Sequence, residues 1–434
     1  MRRAFLSIVI AASFGTAFGQ PAPPAVKLNL QDAETLALKN HPQVLAAQQN
    51  VAAVGQQLVE AKSSYYPVVA ADGTGSAGNH DGRIGAGFIT NSRLFDRQGD
   101  GVSINQLVTD WGRTPNLVAA AKFREGAAQQ TYTATRYDIL LRVNRAYYNA
   151  LRAQATIKVA QATVAARQTI VDEVTALADN KLRSELDVTL VDVNLSQAKL
   201  LLLQAQDQVQ EAFAELTRAL GTAQSAAYTL TDEPLPPSPP PNAEALVAQA
   251  IGARPELASL RLAQQSAQKF ERAERDLSYP TVSLVAVGGY MPYIDQITLP
   301  RFIPNEYGGG AVDIHIPIFN GHLFTARREE AHARALQADQ NLRNEEQVIA
   351  RDVRTAWAAA STAYQTLDVT AQLLRQATLS LSLAQGRYDL GLANIVELTQ
   401  SQLNLTSAEI QNLNAKYDYQ NQYAALQYTL GALR

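Results

Sequence analysis

The sequence predicts a mainly α-helical protein with a small β portion: an internally duplicated chain of long antiparallel coiled coils carrying two strand hairpins. Three observations predict it. A helical stretch is written twice, Leu186-Asp187-Val188-Thr189 through Ala198 recurring 210 residues later as Val396-Glu397-Leu398-Thr399 through Ala408. Apolar residues recur every three or four positions over long proline-free stretches, the mark of a coiled-coil seam. After the first 19 residues, no run approaches the ~18 apolar residues of a membrane helix. A membrane-spanning part would then have to be a closed β-barrel.

The first element is a leader. Arg2 and Arg3 precede an apolar run from Ala4 to Ala12, and Ala17-Phe18-Gly19 supplies small residues before Gln20. This pattern is a secretory signal peptide with cleavage expected after Gly19, so the mature chain is exported. There is no cysteine, which excludes disulfides, thiolate metal sites and a lipid anchor on cysteine. Losing Arg2 and Arg3 takes the formal charge from −3 to −5, a balance that gives no reason to expect nucleic acid.

Residues 31–61 read as a helix with Asn29 or Gln31-Asp32 as cap, a kink at His41-Pro42 and an end at Tyr65-Tyr66-Pro67. A strand follows at about 68–78, then a loop-like stretch from Asn79 to Gly101, then a second strand at about 102–108. A very long helix runs from Pro115 to Ala178. Its seam is Ile139, Val143, Ala146, Ala150, Ala153, Ile157, Ala160, Val164, Arg167, Val171, Val174 and Ala178, with Arg167 alone polar. Asp179-Asn180-Lys181 reverses the chain. The return helix brings Val188, Val191, Leu195, Ala198, Leu202, Ala205, Val209, Ala212, Leu216 and Ala219 to one face, and its alanines allow close helix approach.

Six prolines between Thr231 and Pro241 then predict an extended, semi-rigid linker. The second repeat comes next. His41-Pro42 returns as Arg254-Pro255 and Tyr66-Pro67 as Tyr279-Pro280, at an offset of 213; Leu220-Gly221 returns as Leu430-Gly431, at 210. The three-residue change belongs in the loop between the strands, where length is least constrained. The domains are therefore 1–19, the signal; 20–230, the first repeat; 231–241, the linker; and 242–434, the second repeat, with strands at about 281–290 and 310–318.

At ~1.5 Å per residue the long helix spans about 100 Å. The two shorter helices of a repeat match that length if stacked end to end. Each repeat becomes a rod with a hairpin at one end and a turn at the other. In the hairpins Val102, Ile104 and Gln106 alternate with Ser103, Asn105 and Leu107, the weak signature of an outer-membrane barrel strand. Tyr65, Tyr66, Trp111, Tyr279 and Phe319 fall where strands meet helices, as membrane-interface aromatics do. Four strands cannot close a barrel, which takes about eight, so oligomerisation is required.

The duplicated layout resembles the TolC-type outer membrane efflux protein family over essentially the whole mature chain. The residues that carry it are Tyr66-Pro67 and Tyr279-Pro280 entering the strands and Ile316-Pro317-Ile318-Phe319-Asn320-Gly321 leaving the second hairpin. Arg387-Tyr388-Asp389-Leu390-Gly391 before Ile395-Val396-Glu397-Leu398 completes the set. The resemblance implies a homotrimer with a shared transmembrane β-barrel in outer-membrane lipid and a long α-helical barrel forming a periplasmic tunnel. It also implies partners, a periplasmic adaptor (membrane fusion) protein and an inner-membrane pump, and transport of small molecules or proteins with neither enzymatic activity nor a cofactor. It places a periplasmic entrance gate at the far helical turns, with Asp187, Glu397, Tyr388 and Gly391 as candidates. Ala393 stands where the family often has a tethering arginine, and Gln400 where it often has a second acid; Lys181, Arg183 and Arg387 are the cations at hand.

Other motifs carry less. Gly73-Thr74-Gly75-Ser76-Ala77-Gly78 matches a dinucleotide fingerprint, but it runs into a loop where the pyrophosphate needs a helix N-terminus. Asn194-Leu195-Ser196 and Asn404-Leu405-Thr406 match glycosylation sequons inside predicted helices. His322 and His332 are ten apart, not at the three or four of a helical metal pair. Two rivals stand beside the export duct. A soluble periplasmic coiled-coil scaffold or adaptor explains the seams but not the hairpins with aromatic rims. A secreted enzyme lacks any nucleophile–base constellation.

Overall fold

A computed structural model describes residues 26–77, 83–86, 89–93, 97–222, 228–294 and 305–433. The predicted signal segment and its cleavage point lie outside them. The described chain starts on a short strand, β1 (Val26–Leu28), and a helix in two pieces, α1 (Leu30–Asn40) and α2 (Pro42–Ser63). The break is at His41, whose backbone is extended because Pro42 disfavours a helical predecessor. Asn29 caps α1, its Oδ1 accepting from Asp32 N–H at 2.7 Å.

The hairpins are more extensive than the sequence suggests. The first strand, β2, is Val68–Ser76. The stretch expected to be loop contains two short paired strands, β3 (Arg83–Ala86) and β4 (Ile89–Arg93). The return strand, β5, covers Arg97–Thr109 rather than 102–108. Backbone pairing with β2 continues through Gly99 and Gly101, where side-chain alternation gives out and the sequence signal with it.

Next come α3 (Arg113–Asp179) and α4 (Glu185–Ala219). After them lie a short strand, β6 (Tyr228–Leu230), and the helices α5 (Ala243–Ala253) and α6 (Pro255–Arg275). The second hairpin is β7 (Thr281–Ile294) and β8 (Glu306–His315), in place of 281–290 and 310–318. It leads into α7 (Leu323–Asp389) and α8 (Ile395–Thr429). The duplication is exact in length where it matters most: α3 and α7 have 67 residues each, α4 and α8 have 35. The offset changes between α2 and α3, in the stretch that holds the strands and their loop.

The predicted seams are the cores of these helix pairs. Ile139, Val143, Ala150, Ala160 and Val174 are completely buried on α3, and Ile349, Val353 and Ala360 on α7. Each long helix runs beside two shorter ones in succession: α3 beside α2 then α4, α7 beside α6 then α8. The opposite side of α3 packs on α6 and then α8. The result is one curved layer in which α3 and the α6/α8 stack lie inside, while α7 and the α2/α4 stack are its two free edges.

The proline-rich linker is not a free spacer. β1 pairs in parallel with β6, and the chain after β6 crosses the helices as a strap. The Tyr147 hydroxyl donates to Thr231 O at 2.6 Å, and Trp357 Nε1 to Pro240 O at 2.7 Å. Gln420 Nε2 donates to Glu233 O at 3.0 Å, and the Tyr419 hydroxyl to Pro237 O. Prolines bring no N–H of their own, so the strap is bound through its carbonyls by side chains of α3, α7 and α8.

The strands form one four-stranded antiparallel sheet, ordered β2-β5-β7-β8. Its register gives one mainly apolar face, which also carries Asp100 and Gln106, and one richer in polar residues, which also carries Val68, Val285 and Val287. Val69, Ile104, Leu284, Val312 and Ile314 share one face, all exposed; Asp72, Ser103, Asn105, Ser283 and Asp313 share the other. On the polar face the Tyr307 ring lies against Gly101 and Gly289, where any Cβ would collide with its hydroxyl. Gly73 and Gly75 sit inside β2, and among the described residues the next element is a strand rather than a helix, which speaks against the dinucleotide reading.

Candidate functional site

The two helical turns at the rod end farthest from the sheet are built alike. In the first, Lys181 N donates to Ala178 O and Leu182 N to Leu177 O, with Lys181 left-handed at φ 62°. In the second, Gly391 N donates to Tyr388 O and Leu392 N to Arg387 O, with Gly391 at φ 72°. This is the helix-ending pattern in which one left-handed residue lets the last carbonyls be satisfied. Ser184 then caps α4 and Asn394 caps α8.

Asp187 and Glu397 sit in the first turns of those return helices. Asp187 completes a capping box: its Oδ2 accepts from Ser184 N at 3.2 Å, and Ser184 Oγ accepts from Asp187 N at 3.2 Å. Glu397 N donates to Asn394 Oδ1 at 2.9 Å, while its carboxylate pairs with Arg387 Nε at 3.3 Å. Both acids thus have local partners, and both sit where the helix dipole favours negative charge.

Tyr388 is the residue that joins the hairpins. It is 4 % exposed, in an apolar cluster with Val174 and Val191 of the first repeat and Ile395 and Leu398 of the second. Arg183, from the other turn, stacks its guanidinium 4.6 Å above the Tyr388 ring. Burial raises the Tyr388 pKa, against the pull of Arg183; Asp187 is near enough to add to the rise. Among the described residues the Tyr388 hydroxyl has no hydrogen-bond partner. Of the three cations at hand, Arg183 therefore meets Tyr388 and Arg387 meets Glu397. The Arg183–Tyr388 contact crosses between repeats, which is why internal periodicity does not reveal it.

At the opposite end Tyr65, Tyr66, Trp111, Tyr279 and Phe319 all lie at strand–helix junctions, exposed to between 47 and 80 %. Both junctions from strand to long helix use two consecutive left-handed residues, Trp111-Gly112 and Gly321-His322. Trp111 lies in the first of these turns and Phe319 just before the second, while Tyr65, Tyr66 and Tyr279 lie where the shorter helices enter the strands. Among the described residues no helix is long and apolar enough to cross a membrane.

Comparison with known proteins fits this geometry. The chain is 27 % identical over 431 residues to the alkaline protease secretion protein AprF of Pseudomonas aeruginosa, covering 94 % of this chain and 85 % of that one. It is 22 % identical over 415 residues to the outer membrane protein TolC of Escherichia coli, covering 93 and 82 %. The outer membrane channel MtrE of Neisseria gonorrhoeae, solved in its open state, superposes with a TM-score of 0.77 at 19 % identity, covering 93 % of this chain and 89 % of that one. The family model for outer membrane efflux proteins matches residues 35–222 and 246–432, one match per repeat. Those matches set aside both the soluble scaffold and the secreted enzyme: the chain belongs to the outer membrane efflux protein family, whose members are channels.

Proposed function

We propose that this protein is the exit duct of a tripartite efflux or type I secretion system, a homotrimer that takes cargo from a periplasmic adaptor and an inner-membrane pump. Its sheet lies in outer-membrane lipid and most of its helices stand in the periplasm. The observation that carries this is the pair of matching free edges. β2 and β8 end the sheet with unpaired backbone, and the α2/α4 stack and α7 end the helical layer on the same two sides. Lipid cannot satisfy open strand edges, and four strands are too few to close on themselves. Further copies joined edge to edge close both layers at once. The apolar sheet face then meets lipid and the polar face lines the pore. Leu186, Val193 and Leu200, an exposed seven-residue repeat along α4, supply an unused seam for the neighbouring subunit. Protein extracted in mild detergent should scatter light as a stable trimer, and a monodisperse monomer would overturn the reading.

The entrance is assigned to the turn cluster. Tyr388 under Arg183 ties the two hairpins of one subunit, Gly391 shapes the turn that presents Tyr388, and Asp187 and Glu397 add carboxylates around the axis. A cation–π contact contributes roughly 0.5–2 kcal/mol, enough to hold a turn and weak enough to release. Arg183→Ala should raise the open probability in planar bilayers. The double change Asp187→Asn with Glu397→Gln keeps size and hydrogen bonding while removing charge. It should reduce cation selectivity and relieve block by divalent cations from the periplasmic side. Unchanged selectivity and block would leave these acids as helix caps only.

A further inference from the structure

The strap leaves a groove beside it on one free edge of the helical layer. Leu235 and Pro236 of the strap line it together with Tyr364, Leu367, Asp368 and Val369 of α7, around a volume of about 650 Å³. Most of that lining is apolar, and Leu235, Tyr364 and Val369 are exposed. An exposed apolar groove of this kind marks an interaction site. The internal duplication says which residue reaches it.

Within one chain α3 packs against α8. The two run antiparallel, Asn149 meeting Asn421 at 3.3 Å and Arg152 meeting Asp418 at 3.1 Å. Both helices have duplicates displaced by 210 residues, α7 for α3 and α4 for α8. The same displacement carries Asn149–Asn421 to Ala359–Glu211 and Arg152–Asp418 to Thr362–Gln208. Continued along both helices, that register sets Leu203 of α4 level with Leu367 of α7. The Val174–Leu398 cluster, displaced in the same way, sets Leu203 level with Val369. Both positions line the groove. One chain cannot make this contact, because its α4 and α7 lie on opposite edges of the layer. Leu413, the duplicate of Leu203, shows the contact already made inside a chain: it is partly buried against the cluster that holds Tyr147, Leu151 and Tyr417. Leu203 itself is 62 % exposed.

We infer that the strap groove is a socket for Leu203 of a second copy of this chain, so that the linker of one subunit helps to hold the return helix of the next. The inference rests on the proposed trimer and adds which residues meet and in what register. It gives the proline-rich linker a part in assembly. Leu235 covers one side of the seated leucine, while the linker carbonyls stay bound to α3, α7 and α8.

The chain has no cysteine, so introduced pairs read the register directly. Leu203→Cys with Val369→Cys, treated in the detergent-extracted channel with a short thiol-specific cross-linker, should give covalent dimers and trimers on a denaturing gel. Leu203→Cys with Leu379→Cys is displaced by ten residues, about 15 Å along the helix, and should stay monomeric. Leu203→Gln and Leu235→Gln should each lower the temperature at which the oligomer separates. The double variant should lose little more than the worse single, because the two side chains act in one contact. Leu203 lies on the surface of the single subunit, so its substitution reads assembly rather than the fold. A trimer whose Leu203–Val369 pair yields only monomers, or whose Leu203–Leu379 pair cross-links instead, would overturn the socket and leave the trimer standing. So would additive losses in the double variant. Trimers whose Leu203→Cys thiol stays open to a maleimide would give the groove to a different occupant and overturn it too. A parent that scatters light as a monomer would remove the trimer itself, and the socket with it.

Discussion

Glu34 links one side chain to the stability of the strap region. It accepts from Asn144 Nδ2 at 2.6 Å, and burial raises its pKa, with Glu233 of the strap pushing the same way. A carboxyl whose folded pKa is raised binds its proton more tightly in the folded state. Its contribution is therefore greatest at low pH and is lost as pH rises from the unfolded value near 4.5 through the folded one. Glu34→Gln keeps an acceptor for Asn144 and cannot ionise. It should raise the melting temperature at pH 7 and flatten the fall in stability above pH 4.5 expected of the parent; parallel melting curves across that range would contradict this. The two helical turns supply a second residue-scale comparison. Lys181 and Gly391 hold equivalent left-handed positions, which cost a non-glycine residue about 1 kcal/mol. No atom lies within 4 Å of a Cβ built on Gly391, so Gly391→Ala should cost about that much by strain alone. Lys181→Gly should be neutral to stabilising, and chemical denaturation of the two variants measures the difference.

At the scale of elements, the seams were legible and the strap was not. Seam residues recur every three or four positions, so local periodicity alone marks Ile139, Val143 and Val174 as core, and burial agrees. The strap depends on Tyr147, Trp357 and Tyr419, which reach linker carbonyls 84, 117 and 182 residues away. No local pattern encodes such pairings, and a proline-rich stretch is extended whether bound or free. The turn site divides the same way. The Ser184 and Asn394 caps follow from residue type and position, whereas Arg183 over Tyr388 depends on how two repeats pack. Packing also refines what the alanines predict. Ala198 and Ala205 are both buried on α4. Ala205, however, lines a groove of about 560 Å³ between α3, α4 and α8, whose walls include Asn149, Arg152 and Gln208. Ala198→Leu should overpack the seam at a cost of ~1–3 kcal/mol. Ala205→Leu has the groove to enter and should cost less. Equal losses in melting temperature would mean that the groove is closed in the assembled protein.

For the whole molecule, the sheet's two faces make the membrane assignment testable with neighbouring residues. Leu284 and Ser283 are adjacent on β7 and point to opposite faces; Leu284 pairs with Val312, and Ser283 with Asp313. Both lie in the middle of the sheet, where β7 is paired with β5 on one side and β8 on the other, Ser283 beside the register shift at Leu107/Thr109. Any difference between charged substitutions at the two positions therefore reports the surroundings of the faces rather than damage to the sheet. If the apolar face meets hydrocarbon, Leu284→Arg places a guanidinium in lipid, at about 2–4 kcal/mol per chain near the bilayer midplane and less toward an interface. In a closed oligomer every subunit bears that cost, so the variant should show a large loss of heat-resistant oligomer and of folded protein in the outer membrane. Ser283→Arg points the same group into the water-filled side. It should assemble near parental levels and shift the channel toward anions, because a cationic wall repels cations. Equal assembly of the two variants would mean that neither face meets lipid and would remove the barrel. Failure of Ser283→Arg alone would reverse the faces.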